Sequence, residues 1–302
     1  MEGQLWRILY DLMVPLGKFR SGKPGQIHSD CQVALVLLWA ALHDRPMNWT
    51  CQINNWHGQC PWLSLPSNST MSRRAKTIGV WLILCQVFDT LNSLRPPNIF
   101  QRIDARPLTV GGASKDQDAR RGYGAGQLVK GYKLHELRSS SGHIDGWALS
   151  AMADKEPVVA PRLIAQIQDD GGYVTGDNGY DTNALYEQCG RQGLQLLAPP
   201  RPSAKGLGHR PHSRFRIRGL SMLENPLAVC GIQESYGQRL LKSRGAIERD
   251  FGHEVSLGCG FSSLPPWIRT PHRVGPWVQC KLIICTAWQV RDRLKKRDLC
   301  AA

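Results

Sequence analysis

The sequence predicts an α/β fold, a mixed β-sheet flanked by helices and preceded by an all-helical region. Two observations predict it. Residues 1–95 read as helical, whereas from Asn98 onward short apolar runs of strand length alternate with helical stretches. From that point the order is strand, strand, strand, helix, strand, helix, strand, the pattern of a sheet with helices packed on it.

The first amphipathic stretch carries Glu2 and Asp11, which argues against a secretory signal. After the Gly/Pro/Lys segment 17–26, Ser29 or Asp30 caps a helix through Val33, Leu37, Trp39 and Leu42, and Pro46 stops it. A segment rich in tryptophan follows (Trp49, Trp56, Trp62). Residues 67–76 then place Ser67 and Asn68 as a cap ahead of Arg73, Arg74 and Lys76. Such a start suits a helix laid against DNA, or equally an ordinary helix with a solvated basic face. Ile78–Leu94 continues as an apolar helix, closed by Arg95-Pro96-Pro97.

The sheet opens with a short strand, Ile99 to Asp104, ending in an acid and continued by Pro107–Val110. Residues 111–126 read as a polar loop. Tyr132–Leu137 and Ile144–Ala151 form two strands joined across Ser139-Ser140-Ser141-Gly142, a hairpin. A helix over Pro157–Gln168, a strand Tyr173–Gly176 ending at Asp177, a helix Asn183–Gln192 and a buried strand Leu194–Leu197 complete the alternation. Residues 199–218 then carry Arg201, Lys205, Arg210, Arg214, Arg216 and Arg218 without an acid among them. That is a basic excursion fit to cross a phosphate backbone, with a merely disordered loop as the alternative. Gln238–Glu254 reads as a helix, 264–276 as a Pro-rich connection and Trp277–Lys296 as the last helix. The expected division is 1–97, helical, and 98–302, the sheet domain, with a basic insertion at 199–236 and a C-terminal helix at 277–296.

Lys and Arg number 38 against 24 Asp and Glu, a formal charge of +14. The partner this favours is a polyanion, DNA or RNA ahead of a membrane surface. The longest apolar runs (33–42, 80–84 and 282–284) fall short of the ~20 residues a membrane span needs. The ten cysteines form no Cys-x-x-Cys pair, and Cys51, His57 and Cys60 lack the second half of a zinc set. Cys31, Cys85, Cys280 and Cys285 lie in apolar runs as small hydrophobes. A reducing cytoplasm fits, with nucleoid association when DNA is bound.

Three carboxylates carry the chemistry. Asp104 ends the first strand, Asp177 a later one, and Glu248 sits mid-helix in Arg244-Gly245-Ala246-Ile247-Glu248-Arg249. If the two strands are neighbours, both aspartates emerge at one sheet edge, and a helix across that edge presents Glu248 beside them. Three such acids repel one another unless cations are bound, and hard oxygen donors suit Mg2+ or Mn2+. Two ions roughly 4 Å apart activate a water or a 3′-hydroxyl and stabilise the leaving oxygen of an in-line displacement. Singly, each acid reads as readily as a cap, a turn former or half of a surface ion pair with Arg244 or Arg249. Asp116, Asp118, Asp145, Asp154, Asp169, Asp170 and Asp181 are the other acids in reach; Asp181 reads as the cap of the next helix.

Five segments in order resemble the DDE transposases of bacterial insertion sequences. They are Ile103-Asp104-Ala105, Lys130-Gly131-Tyr132-Lys133-Leu134-His135, Trp147-Ala148-Leu149, Gly176-Asp177-Asn178-Gly179-Tyr180-Asp181, and Arg244-x-x-Ile247-Glu248-Arg249-Asp250-Phe251. The resemblance covers roughly residues 98–290. It implies a ribonuclease H-like fold whose DDE triad falls on Asp104, Asp177 and Glu248. The implied activity is metal-dependent cleavage and strand transfer at the ends of an insertion element. The implied partners are double-stranded DNA, as inverted-repeat ends and target, and a second copy of the chain in a synaptic dimer. Residues 1–97 resemble, more loosely, the family's end-binding and dimerising region. DNA contacts are expected from Arg244, the phosphate contact nearest the metals, and from Arg249, Arg73, Arg74, Lys76, Arg214, Arg216 and Arg218. Of the family's Y-x-x-R-x-x-x-E-x(6)-K signature, Arg244 and Glu248 are present, but Leu241 and Val255 stand where Tyr and Lys are expected. Arg269, Arg273 and Lys281 are candidates to replace the missing charge. Two alternatives stay open: an inactive DNA-binding remnant of a transposase, and a metal-dependent nuclease of the same fold.

Overall fold

A computed structural model describes residues 2–18, 27–95, 98–124, 126–167, 171–201, 212–224, 234–254, 261 and 263–301. Val255, Lys205, Arg210, Asp169 and Asp170 lie outside the described residues. The chain divides into two compact units: Met1–Arg95 with Ser114–Asp118 and Glu254–Ala302, and Pro96–Ala113 with Ala119–His253.

The first unit is helical. It contains α1 (Glu2–Lys18), α2 (Asp30–Leu42), α3 (Met47–Thr50), α4 (Asn68–Arg74) and α5 (Ile78–Asn92). The cap expected at residue 29 is present: the Ser29 hydroxyl accepts the Gln32 N–H at 3.1 Å. Ser67 caps α4 in the same way, from the Thr70 N–H. α2 is buried nearly all round, as an apolar helix without a polar face must be. Trp39 stacks on Trp56 with ring centroids 4.9 Å apart, Trp6 meets both edge-on, and both indole N–H groups of the stacked pair donate to backbone carbonyls. The final helix, α11 (Pro271–Ala301), packs on α5, α2 and α1. It starts six residues earlier than its apolar pattern shows, because proline is compatible with a first helical turn.

The second unit is the mixed sheet. Its strands are β1 (Phe100–Thr109), β2 (Arg120–Gly124), β3 (Gln127–Ser139), β4 (Ile144–Ala151), β5 (Gly172–Thr175) and β6 (Leu194–Leu197). β1 pairs antiparallel with β3 and parallel with β5, β3 pairs antiparallel with β2 and β4, and β5 pairs parallel with β6. Setting aside the short β2, the order β4-β3-β1-β5-β6 is that of a ribonuclease H-like sheet, three antiparallel strands followed by two parallel ones. α6 (Glu156–Ile164) and α7 (Asn183–Arg191) contribute to a core that holds Ile103, Leu137, Leu163, Val174 and Leu196.

Several boundaries differ from the sequence expectation. The polar segment 111–126 contains β2, paired to β3 through Arg121↔Lys130 and Tyr123↔Leu128. Backbone pairing formed this strand despite its charged side chains. The basic stretch after residue 199 contains α8 (Arg214–Glu224). The expected helix over Gln238–Glu254 is two, α9 (Tyr236–Arg244) and α10 (Ala246–Glu254), separated at Gly245. Thr182, not Asp181, caps α7.

Side chains alternate along β1, so Arg102, Asp104 and Arg106 share the face opposite Ile103. Their antiparallel partners include Arg138 beside Arg102 and Glu136 beside Asp104. α10 lies across this polar face. Asp250 pairs with Arg102 at 3.0 Å, and the guanidinium groups of Arg106 and Arg138 stand 4.8 and 5.5 Å from the Phe251 ring centroid. Beneath them Glu136, fully buried, meets Arg138 at 2.5 Å and Arg106 at 3.5 Å. Removing one partner of such a cluster strands the others without water. Glu136→Ala is expected to lower the unfolding free energy by about 3–5 kcal/mol in urea denaturation; a loss below about 1 kcal/mol would show that the cluster does not hold α10.

Candidate active site

Asp104 lies on β1, and Asp177 lies two residues past the end of the adjacent parallel strand β5. Arg102 of β1 is in register with Thr175 of β5, so the acids two residues further along each strand reach the same level. β5 ends there, whereas β1 runs on to Thr109, so Asp104 is a mid-strand residue and not a strand end as its sequence suggested. The Asp177 backbone stays extended (φ −78°, ψ −178°), and its Oδ1 accepts the Gly179 N–H at 2.8 Å. That leaves Oδ2 free of the turn. A Cβ on Gly179 would stand 2.8 Å from Oδ1, so a larger residue there would push the carboxylate aside.

The third acid arrives on α10. Glu248 is exposed on its first turn, while Ile247 beside it is fully buried. Arg244, the last residue of α9, points its Nη1 at Asp104 Oδ2 from 3.5 Å. Asp104 is buried to 18% exposure, and this burial pushes its carboxyl up from 3.8 to about 6. The Ala105 N–H and Arg244 oppose that rise, and the charges of Asp177 and Glu248 add to it. All three acids therefore share one electrostatic neighbourhood. Tyr180, fully buried, feels Asp104 and Asp177 as well, and its hydroxyl has no hydrogen-bond partner among the described residues.

The donor set suits a hard cation, and a low-dielectric group of like charges is where one is stabilised. The carboxylates do not already converge on a point: among the described residues no three Asp, Glu, His or Cys side chains are close enough to hold one ion. Arg244 supplies the compensating charge instead. Asp104 thus stands on β1, Asp177 two residues past the end of β5, and Glu248 on an exposed helical turn.

Competing acids have other roles. Asp116 accepts the Thr270 and Asp118 N–H groups, and Asp154 accepts the Ala151 N–H. Asp181 holds Arg216 through two bonds of 2.7 and 2.8 Å. Arg216, expected on DNA, is therefore a buried structural residue. Arg74 is likewise committed, to Asp30 at 2.5 Å and the His28 carbonyl. Lys281, a candidate to replace the missing signature lysine, is fully buried against Asp44 at 2.6 Å, and Arg269 donates to the Pro265 and Ile268 carbonyls. Arg73, Lys76, Arg214, Arg218 and Arg249 remain exposed. Leu241, in place of tyrosine, is half-buried on α9. The arginine–glutamate cluster under α10 escaped the sequence reading. Its signal was charge at alternate positions of apolar strands, Arg102-x-Asp104-x-Arg106 and Glu136-x-Arg138.

The model of the transposase DDE domain matches residues 99–263, more than half of the chain. The chain belongs to the transposase DDE domain family. That match contains Asp104, Asp177 and Glu248, so the geometry above lies inside the domain that defines the family. Two solved transposases are similar at 10% identity each. The piggyBac transposase synaptic complex with hairpin DNA has a TM-score of 0.48 over 97% of this chain and 74% of that one. The pre-cleavage Mos1 transpososome has a TM-score of 0.19 over 79% and 81%. No curated protein matches the sequence. Among the described residues no helix is long and apolar enough to cross a membrane.

The raised pKa of Asp104 has a defined sign. Between 3.8 and about 6 the folded chain holds a proton that the unfolded chain has lost, so stability falls as pH rises through that window and is level above it. Asp104→Asn removes the titration. In urea melts from pH 4 to 7.5 the variant is expected to match the parent near pH 4 and exceed it by up to about 3 kcal/mol above pH 6. The same pH slope in parent and variant would contradict this.

Proposed function

We propose that this transposase-family protein cuts and joins DNA strands with divalent metal ions held by Asp104, Asp177 and Glu248. The observation that supports the proposal is that Asp104 and Asp177 each follow by two residues the paired Arg102 and Thr175 of neighbouring parallel strands, with Glu248 within electrostatic range. Mg2+ or Mn2+, as two ions when bound, would supply the activated oxygen nucleophile and stabilise the leaving oxygen.

The chain's own residues do the rest. Asp104 must lose its proton to bind a cation, which its raised pKa makes pH-dependent near 6. Arg244, 3.5 Å from Asp104, is placed to exchange that carboxylate for a DNA phosphate when a cation takes over the charge. Arg249, exposed one residue beyond Glu248, extends the positive surface, and Arg214 and Arg218 on α8 offer further phosphate contacts. In the helical unit Arg73 and Lys76 are the exposed cations on and just beyond α4. Double-stranded DNA, as element ends and target, is the partner suited to the +14 charge. Handling two ends together calls for a synaptic homodimer. The helical region is assigned to end binding and dimerisation, and the sheet unit to catalysis.

A second reading is a chain that binds DNA without cutting it. Leu241 in place of the signature tyrosine favours it, as does Arg244 standing at Asp104. One assay separates the two readings. With Mg2+ or Mn2+, plasmid carrying the DNA that flanks the gene should be nicked at defined ends and the 3′-ends joined to target. Asp104→Ala, Asp177→Ala or Glu248→Ala should each lower cleavage by on the order of 1,000-fold, the scale of losing one preorganised electrostatic group, with DNA affinity kept or slightly raised. Parent protein that binds but never nicks identifies the inactive remnant. Nicks without joining identify a nuclease.

A further inference from the structure

The helical unit encloses a cavity of about 250 Å³ between α2, α3, α4, residues 267–268 and the start of α11. It is slightly smaller than most ligand pockets, which run roughly 300–1,000 Å³, and has room for one ring system with its substituents, not for a peptide. Its walls are mostly apolar, with Trp277, Trp267, Leu37, Ala40 and Met47 among the lining residues. Its polar parts are of two kinds. Asn48, Asn68 and Ser72 offer both donors and acceptors. Arg45, Lys76 and Arg273 are exposed cations whose side chains have no hydrogen-bond or ion-pair partner among the described residues. The neighbouring His272 has its pKa lowered by burial first and then by Lys76 and Arg273, with Asp118 and Asp116 opposing them.

Tryptophan walls suit a planar aromatic ring, amide side chains suit the edge of a heterocycle, and unpaired cations at the rim suit an anion. An apolar metabolite would leave the cations unused, and inorganic phosphate would leave the tryptophans unused. We propose that this cavity binds a single nucleotide, with the base against the tryptophans and the phosphate on Arg45, Lys76 and Arg273. The occupant is either a free nucleotide or an unstacked nucleotide of a DNA strand, which present the same chemistry. The proposal goes beyond strand cleavage and needs none of Asp104, Asp177 or Glu248.

The test is calorimetric titration of the full chain with thymidine monophosphate, single-stranded hexathymidylate and inorganic phosphate. One nucleotide ligand is expected to bind at one site per chain, with phosphate at least tenfold weaker. Binding of the monophosphate assigns a free nucleotide as sufficient; binding of the hexamer alone assigns a nucleotide within DNA. Lys76→Ala combined with Arg273→Ala, both surface changes, should weaken the bound ligand tenfold or more, as should Trp267→Leu. Asp104→Ala should leave it unchanged, so loss of cleavage and loss of this site are separate results. No binding, phosphate binding as tightly as the nucleotide, or full affinity in the Lys76/Arg273 and Trp267 variants would overturn the proposal.

Discussion

The site depends on how α10 is fastened to the polar face of β1. A helix lying on charged strand residues has little apolar area to hold it, so electrostatics must do the fastening. Glu136 makes this feasible. Buried between Arg106 and Arg138, it compensates the two guanidinium groups that flank the Phe251 ring, while Asp250 takes Arg102. The same short helix carries Glu248 on its first turn. Buried ion clusters contribute little net stability compared with apolar packing, but they are unforgiving of misplacement. Here that property serves placement.

The acids themselves are held against their own repulsion. Asp104 is buried enough to raise its pKa to about 6, and Arg244 offsets only part of the cost. A carboxylate so placed is poor for stability and well suited to a cation, the usual balance at a functional centre. The absence of three converged donors among the described residues follows from the same physics. Glu248 stays exposed to water, and Arg244 stands 3.5 Å from Asp104.

Much of this arrangement was legible in the sequence. Ser29 and Ser67 cap the helices their spacing indicated, and β6 begins and ends where its apolar run does, because local hydrogen bonding and burial decide those elements. Five segments in order, from Ile103–Ala105 to Arg244–Phe251, resembled the family whose domain model matches residues 99–263. What stayed hidden depends on pairing partners and not on the pattern of a single segment. β2 is a strand because β3 pairs with it across only two intervening residues, although its charged residues suggested a loop. Arg74, Arg216 and Lys281 counted as available cations until Asp30, Asp181 and Asp44 were found beside them. Those partners lie 35 to 237 positions away in sequence, where no local pattern reaches them. A charge count measures a chain's affinity for polyanions; it does not say which charges are free.

The most direct test of this account is an anomalous difference map from crystals of the chain grown with Mn2+. The account predicts a peak bounded by Asp104 and Asp177, Glu248 turned toward it, and Arg244 withdrawn from Asp104. Manganese bound elsewhere, or no peak at Asp104 with Arg244 still seated on its carboxylate, would contradict it.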